Sequence, residues 1–254
     1  MGKWKVEKPL SISMEVIMRL DKFLSNMGLG TRTEVKKAIT RGLVTVNGKV
    51  TKKVGLTIKE KSDQIVYNGQ KVNYQAHVYI MLNKPSGLIS ATEDKMHKTV
   101  IDLIKDTYGN RKIFPVGRLD IDTEGLILLT DDGEWSHSLM SPKKHVSKVY
   151  FARVEGKVTQ EHVGLFSAGM TFKDGTVIKP SHLKVLKSDQ ISEIELTITE
   201  GKYHQVKRMF EHFDMKVIYL RRDKIGGLSI DPELGLGDYK ELSEKELEMI
   251  KLED

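Results

Sequence analysis

The sequence predicts an α+β protein in two unequal parts: a small basic module of short helices and hairpins, then a larger domain built on a mixed or antiparallel sheet with flanking helices. Three observations carry that prediction. Helix-like and strand-like segments alternate irregularly, without the regular strand–helix repeat of a parallel α/β fold. The clearest strand, Ile191 to Thr199, alternates instead of running solidly apolar. Glu193, Glu195, Thr197 and Thr199 fall on one face and Ser192, Ile194, Leu196 and Ile198 on the other, with Ile191 the exception, the pattern of a half-buried strand in an antiparallel sheet. Charge is also segregated. Of a net +6 over 254 residues, residues 18–60 alone carry +7 from ten Lys/Arg against three acids, residues 1–17 carry +1 and the remainder −2. A basic module ahead of a near-neutral body is the electrostatic footprint of a nucleic-acid-binding appendage; a solvated cationic face is the plainer alternative.

Composition excludes several classes. The chain has no cysteine, and so no disulfide, thiol nucleophile or thiolate metal site. No stretch reaches the ~20 apolar residues of a membrane span and no secretory h-region appears, so the cytoplasm is the default location. Glycine-rich phosphate loops, H-E-x-x-H and paired histidine ligand spacings are absent from the sequence.

In chain order, residues 1–17 lack periodicity and read as a mobile extension. Leu20, Phe23, Leu24 and Met27 then share one face of a short helix stopped by Gly28. Thr31-Arg32-Thr33-Glu34 is a capping box opening a second helix, with Val35, Ala38 and Ile39 inward and Arg32, Lys36 and Lys37 largely outward. Val44 to Val50 is a hairpin whose Asn47-Gly48 suits the two positive-φ positions of a type I′ turn. Asp63 to Val72 continues the module's strands, and residues 73–77 are a polar linker.

Val78 to Leu82 opens the large domain as a strand, stopped by Asn83-Lys84-Pro85-Ser86-Gly87. That stop is a turn whose lysine could also face a cleft. Thr99 to Tyr108 is helical in character, with Val100, Leu103 and Ile104 on one face, and Phe114-Pro115-Val116 follows. After a strand at Leu126–Thr130, Asp131-Asp132-Gly133-Glu134 starts a helix with Trp135, Leu139 and Met140 on its apolar side, closed by Ser141-Pro142. Lys148 to Val154 is another strand; its Tyr150 is expected to pack, and a buried hydroxyl would need a partner.

Two stretches stand out chemically. Gly117-Arg118-Leu119-Asp120-Ile121-Asp122-Thr123-Glu124-Gly125 sets three acids between two glycines, directly before an apolar strand. Burying an unpaired carboxylate costs several kcal/mol. Such a loop either caps the strand in solvent, meets a cation, or does chemistry. A metal site is a further option, since acids at period two would share one strand face. In the second stretch, Val206, Met209, Phe210 and Phe213 mark a helix beginning near His204, which puts Lys207 and Arg208 in its first turn. The macrodipole disfavours cations there by ~0.3–1 kcal/mol each. Either the turn is simply solvated or an anion is met there, RNA phosphate and a carboxylate from elsewhere in the fold being the candidates.

Residues 18–50 resemble an S4 RNA-binding domain in Arg19-Leu20-Asp21-Lys22-Phe23-Leu24, the basic second helix and the Val-Asn-Gly turn. The larger part resembles the RsuA-type pseudouridine synthases, rRNA-modifying enzymes with an S4 domain before the catalytic one. The match rests on Gly117-Arg118-Leu119-Asp120 with the following DTEGLILLT, on Lys148-Val149-Tyr150, and on Glu200 to Phe210 (EGKYHQVKRMF). It extends through Met81 to Pro85, Asp132 to His137 and Lys224 to Gly227, and covers about residues 18–248.

The resemblance implies an S4 domain over 18–72, a linker over 73–77 and a pseudouridine synthase domain over 78–254. It implies that uridine's N1–C1′ bond is cut, the base turns, and C5 is joined to C1′. Asp120 matches the family nucleophile, with attack at C1′ or at C6 left open; Asp122 is the rival by chemistry alone. Lys207 matches the basic residue paired with that aspartate, and Tyr150 the tyrosine that packs on the target base. The base must leave its stack to be reached. Arg118 is a candidate for filling the gap or holding phosphate. Lys84, Lys202, His204 and Arg208, with Arg19, Arg32, Lys36, Lys37 and Arg41 of the S4 part, are further candidates for RNA contact. No cofactor or metal is implied. DGEWSH, TITEGKYHQVKRMF and Gly237-Asp238-Tyr239 favour small-subunit (16S) rRNA at a uridine-516-type site. The alternatives are large-subunit (23S) rRNA or a catalytically idle assembly factor, and rRNA is the partner in each. No obligate protein partner is implied, and a monomer is the default.

Overall fold

In the computed structural model, which describes residues 17–60, 62–141 and 144–251, Thr31 caps the basic helix as its sequence predicts. Its hydroxyl accepts from the Glu34 amide, and the Glu34 carboxylate accepts in return from the Thr31 amide at 2.7 Å. This helix belongs to one of two compact units, formed by residues up to Ala76 together with Gly109–Arg111; the other comprises the rest of the chain from His77.

The smaller unit runs β1 (Ile17–Arg19), α1 (Leu20–Asn26), α2 (Arg32–Thr40), β2 (Val44–Val46), β3 (Lys49–Val50), β4 (Thr57–Lys59), β5 (Ile65–Tyr67) and β6 (Gln70–Val72). Strand β1 pairs with β4, and a second antiparallel sheet runs β3-β2-β5-β6. Both of its hairpins turn on Asn-Gly, with φ of +51° and +77° at Asn47-Gly48 and +49° and +78° at Asn68-Gly69, the type I′ pattern. Leu20, Phe23, Leu24, Val35, Ile39, Val44, Ile58 and Ile65 form its core. Residues 1–16 of the expected extension lie outside the described residues; Ile17 is already in β1. Tyr74, in the expected linker, packs on Phe23 with ring centroids 6.3 Å apart.

The larger unit begins with β7 (Tyr79–Lys84), α3 (Lys105–Tyr108), β8 (Phe114–Val116), β9 (Glu124–Thr130), α4 (Gly133–Met140), β10 (Lys148–Glu155) and α5 (Gln160–Ala168). It continues with β11 (Met170–Thr171), β12 (Val177–Ile178), β13 (His182–Lys187), β14 (Ile191–Ile198), α6 (Gln205–Glu211), β15 (Lys216–Ile225), β16 (Leu228–Ser229), β17 (Tyr239–Glu241) and α7 (Glu244–Met249). Its sheet has the order β13-β14-β10-β15-β9-β7-β17, with β16 added on β15 and β8 on β9. Every pairing is antiparallel except β9 with β15. The fold is therefore α+β with a mixed sheet. Alternate residues of the central strands feed apolar clusters on opposite faces: Ile80, Leu82, Ile127 and Leu129 go to one, and Met81, Leu126 and Leu128 to the other. Strand β14 keeps the expected alternation, and its buried Ser192 hydroxyl is satisfied by accepting from the Val158 amide and donating to the Gly156 carbonyl.

Three local expectations change. Only Lys105–Tyr108 is α-helical within residues 99–108, and Leu103 is exposed while Val100 and Ile104 are buried. Residues 101–104 form turns, with the Thr99 amide donating to the Asp102 carboxylate and the Asp102 amide to the Thr99 hydroxyl. On α4, Leu139 is buried but Met140 is exposed, its thioether lying over Gly117. Pro142 lies outside the described residues.

Candidate active site

The acid loop is held from below before it meets anything above. Lys84, at the end of β7, is completely buried. Its ammonium donates to three backbone carbonyls, those of Thr123 at 2.8 Å, Pro85 at 3.0 Å and Ile121 at 3.2 Å. The lysine expected to face a cleft and contact RNA therefore points into the fold, because the loop's carbonyls converge on it. Burial pushes its pKa down to about 8 against the pull of the Asp122, Asp120 and Glu124 charges. The segment after β7 adds two more ties: the Gly87 amide donates to the Ile121 carbonyl, and the Ser90 hydroxyl both donates to the Leu119 carbonyl and accepts from its amide. Ser90 had no signal in the sequence, since nothing marks a serine that pairs with a backbone 29 residues away.

The two glycines that bracket the loop are there for different close approaches. A Cβ on Gly117, at φ +75°, would lie 2.7 Å from Met140 Cε, a flexible neighbour. On Gly125, at φ +98°, it would lie 2.3 Å from the Arg222 carbonyl oxygen of β15, which cannot yield without parting the strands. Here β9 and β15 run parallel, with Arg222 opposite Gly125, and the Arg222 Nε donates to the Leu126 carbonyl at 2.8 Å.

From the other side comes α6. Its N-cap is His204, held in the left-handed region at φ +46°. That conformation is uncommon for a residue with a side chain, though histidine tolerates it better than most. Lys207, in the first turn, reaches back to the acid loop, with its Nζ 2.6 Å from Asp122 Oδ1 and 3.1 Å from Asp120 Oδ2. The anion expected at this helix start is thus a pair of carboxylates. Burial works against the Lys207 ammonium, but the hydrogen bonds and charges of Asp122 and Asp120 outweigh it and hold its pKa above the usual lysine value. Burial alone would raise the Asp122 carboxyl; the Lys207 hydrogen bond and charge reverse that and hold it low. Glu124 does not share their face: its carboxylate accepts from the Tyr219 hydroxyl at 2.8 Å, because Asp120–Thr123 is a turn and the strand begins only at Glu124.

Arg118, Asp120, Tyr150, Lys202, His204 and Lys207 all line one narrow recess of about 70 Å³. Asp122 is not in its wall; its side chain is 62% exposed against 27% for Asp120. Tyr150, 7% exposed on β10, is placed by pairing with Leu196 and Arg222 on either side. Among the described residues its hydroxyl has no hydrogen-bond partner, so the partner expected for a buried phenol is left to whatever enters the recess. His204 Nε2 lies 3.6 Å from Asp120 Oδ1. The Lys202 ammonium is bonded to the Val177 carbonyl and lies 3.8 Å from Glu200. A larger cavity of about 490 Å³ lies elsewhere, between Trp135, Leu139 and Ile250, and none of the three acids lines it.

Arg208 stands apart from the recess. Its guanidinium is paired with Asp174 and lies 4.3 Å from the Phe172 ring centroid, so its charge is already met within the fold. In the smaller unit Arg19 grips Asp21 through two hydrogen bonds of 3.0 and 3.1 Å. Arg32, Lys36, Lys37 and Arg41 are exposed, and none forms an ion pair with a described residue.

Comparison with known proteins decides what this arrangement belongs to. The RNA pseudouridylate synthase family pattern matches residues 78–212, and the S4 domain pattern matches residues 18–65. The chain belongs to the RNA pseudouridylate synthase family. It is 42% identical over 234 residues to an uncharacterized RNA pseudouridine synthase of Bacillus subtilis, covering 92% of this chain and 98% of that protein. It is 37% identical over 232 residues to the Escherichia coli ribosomal small subunit pseudouridine synthase A, covering 91% and 98%. A solved pseudouridylate synthase crystal structure matches with a TM-score of 0.64 at 36% identity, over 92% of this chain and 99% of that one. As an RNA pseudouridylate synthase, the chain is an isomerase that follows an S4 domain with a mixed-sheet catalytic fold. No helix among the described residues is long and apolar enough to cross a membrane.

Proposed function

We propose that the chain converts one uridine of small-subunit ribosomal RNA, at a uridine-516-type position, to pseudouridine in the cytoplasm, acting as a monomer. The observation that carries this reading is the recess in which the Lys207 ammonium lies 3.1 Å from the Asp120 carboxylate, with Tyr150 in the same wall. Asp120 is the nucleophile: an aspartate carboxylate set beside the Lys207 ammonium can form a covalent intermediate. It attacks C1′ or C6, the N1–C1′ bond breaks, the base turns, C5 bonds to C1′, the bond to Asp120 is released, and the proton lost from C5 is matched by one gained at N1. Atoms balance, as an isomerisation requires. Tyr150 packs on the flipped base, and its unpartnered hydroxyl is available to the proton that leaves C5. Lys207 orients Asp120 and carries the positive charge the carboxylate needs when RNA excludes water. Asp122, outside the recess wall, holds Lys207 from the rim.

The exposed cations of α2, with Arg118 at the mouth of the recess, hold RNA phosphates, and residues 18–72 serve as the RNA-binding domain of a catalytic domain over 78–254. The small-subunit assignment is supported by relatives named for that substrate, at 37% identity in E. coli and 40% in Pasteurella multocida.

The test maps pseudouridine by carbodiimide-dependent reverse-transcriptase stops on rRNA from cells lacking the protein. Complementation uses wild type and, separately, Asp120→Asn. The expected result is one small-subunit stop that vanishes and returns only with wild type. A large-subunit stop behaving that way would keep the chemistry and overturn the substrate. No changed stop, with rRNA binding intact, would leave an assembly factor.

A further inference from the structure

Among the described residues, Tyr203 is the one aromatic in the set of large apolar side chains that stand open to solvent, at 74% exposure. A single exposed tyrosine is ordinary; this one has an unusual neighbour. Its ring lies parallel to that of His204, with centroids 3.9 Å apart and an interplanar angle of 16°. The imidazole in turn reaches to 3.6 Å from Asp120. The two rings make a short column that starts at the carboxylate and ends in solvent. The backbone turn that builds it is the left-handed one at His204. Among the described residues nothing receives the Tyr203 hydroxyl, and the ring's contact shown within the fold is its stack on His204, which occupies one of its two faces. Lys202 adjoins it in the chain, and Lys202 and Arg118 line the same recess as His204.

We propose that Tyr203 is a stacking platform for the nucleotide adjacent to the isomerised uridine, so that the enzyme grips the base that stays in the strand as well as the one that leaves. This rests on the RNA isomerase reading above. A uridine drawn out to Asp120 uncovers one face of its neighbour. A free aromatic face one residue from His204 lies where that neighbour passes. Every base has a π-face, so such a platform adds hold on the strand without choosing the base. Tyr203 is accordingly a positioning residue and takes no part in bond breaking.

The test is steady-state kinetics on an in-vitro small-subunit rRNA transcript, and on two short RNAs spanning the mapped uridine with an abasic site on its 5′ or its 3′ side. Tyr203→Ala is expected to raise KM about 5- to 100-fold with kcat changed less than about twofold. Tyr203→Phe, which keeps the ring, should bring KM back toward wild type. On one of the abasic RNAs, wild type should lose the same factor and Tyr203→Ala should be no worse than wild type. A wild-type KM for Tyr203→Ala, a loss confined to kcat, or an undiminished Tyr203→Ala defect on both abasic RNAs would each overturn the proposal. Wild-type protein that forms no pseudouridine in any rRNA would overturn the isomerase reading and this proposal with it.

Discussion

Helices α2 and α6 each carry adjacent basic residues, Lys36-Lys37 in one and Lys207-Arg208 in the other, and the two pairs are used in opposite ways. On α2 the side chains are exposed and form no ion pair with a described residue. On α6 both charges are consumed inside the fold, Lys207 by Asp120 and Asp122 and Arg208 by Asp174. The difference follows from position. The α2 face looks onto water, where a lone ammonium is well solvated. The first turn of α6 sits at the positive end of its helix beside an acid loop, where an unpaired cation would be costly and a paired one is fixed in place. Lys84 marks the far end of the same series, a cation fully enclosed and met only by carbonyls. Equal charge in a sequence thus ends exposed, paired or enclosed according to what surrounds it.

Substitutions at these cations sharpen or break that contrast. Lys207→Gln should have the largest effect, lowering kcat about 10²–10³-fold with KM little changed, as for loss of one oriented charge in an enclosed site. A wild-type kcat would show that the Asp120 pairing is architectural only. Lys84→Met leaves the Thr123 and Pro85 carbonyls without this donor, while Ile121 keeps the Gly87 amide, and should cost about 2 kcal/mol in urea denaturation, with turnover falling as the acid loop loosens. Arg208→Gln should cost about 1 kcal/mol of stability and leave turnover alone, since its ion pair and ring contact lie away from the recess. Lys36→Gln with Lys37→Gln should flatten the dependence of log K on log salt by at most about 0.9 per lysine. An unchanged slope would remove α2 from the RNA interface.

The smallest effect is in pH. Asp122 is held below its ordinary 3.8, so its contribution is complete above that value and is lost as pH falls through the lower folded value. Lys207 is held above 10.5, so its contribution is complete below that value and is lost as pH rises through the higher folded value. The stability difference between wild type and Lys207→Gln should therefore be flat from about pH 5 to 7 and shrink at the acid and alkaline extremes, by less than about 1 kcal/mol since Asp122 is largely exposed. A difference that varies within that window would mean that another group carries it.

What could be read from the sequence was whatever local pattern dictates. The Thr31 capping box, the Asn47-Gly48 turn and the alternation of β14 are settled within a few residues, and all stand as expected. The macrodipole argument at Lys207 was also local; it set a met anion beside a solvated turn, and in the structure carboxylates meet the cation. Its limit was the identity of that anion, because Asp122 lies 85 positions away. Lys84 was misplaced for the same reason: the backbone carbonyls that capture it belong to residues 121 and 123, and no side-chain pattern announces a carbonyl. Arg208 looked as free as Lys207 until the hairpin carrying Asp174 folded against it. Residues 99–108 failed differently, since a capped turn and a helix share the same apolar spacing over so short a run.

The parallel seam between β9 and β15 has a consequence in time. Glu124 finds Arg221, and Gly125 finds Arg222, across nearly a hundred residues of intervening chain. Loop closure over that distance is slow, and on the ribosome it cannot begin until β15 has been made. The smaller unit's own pairings, from Ile17 opposite Lys59 to Tyr67 opposite Gln70, need nothing beyond the first third of the chain. At synthesis rates of about 5–20 residues per second, about seven to thirty seconds separate the emergence of the smaller unit's last strand from that of β15. During translation the nascent chain therefore acquires the means to hold RNA well before it can carry out chemistry on it.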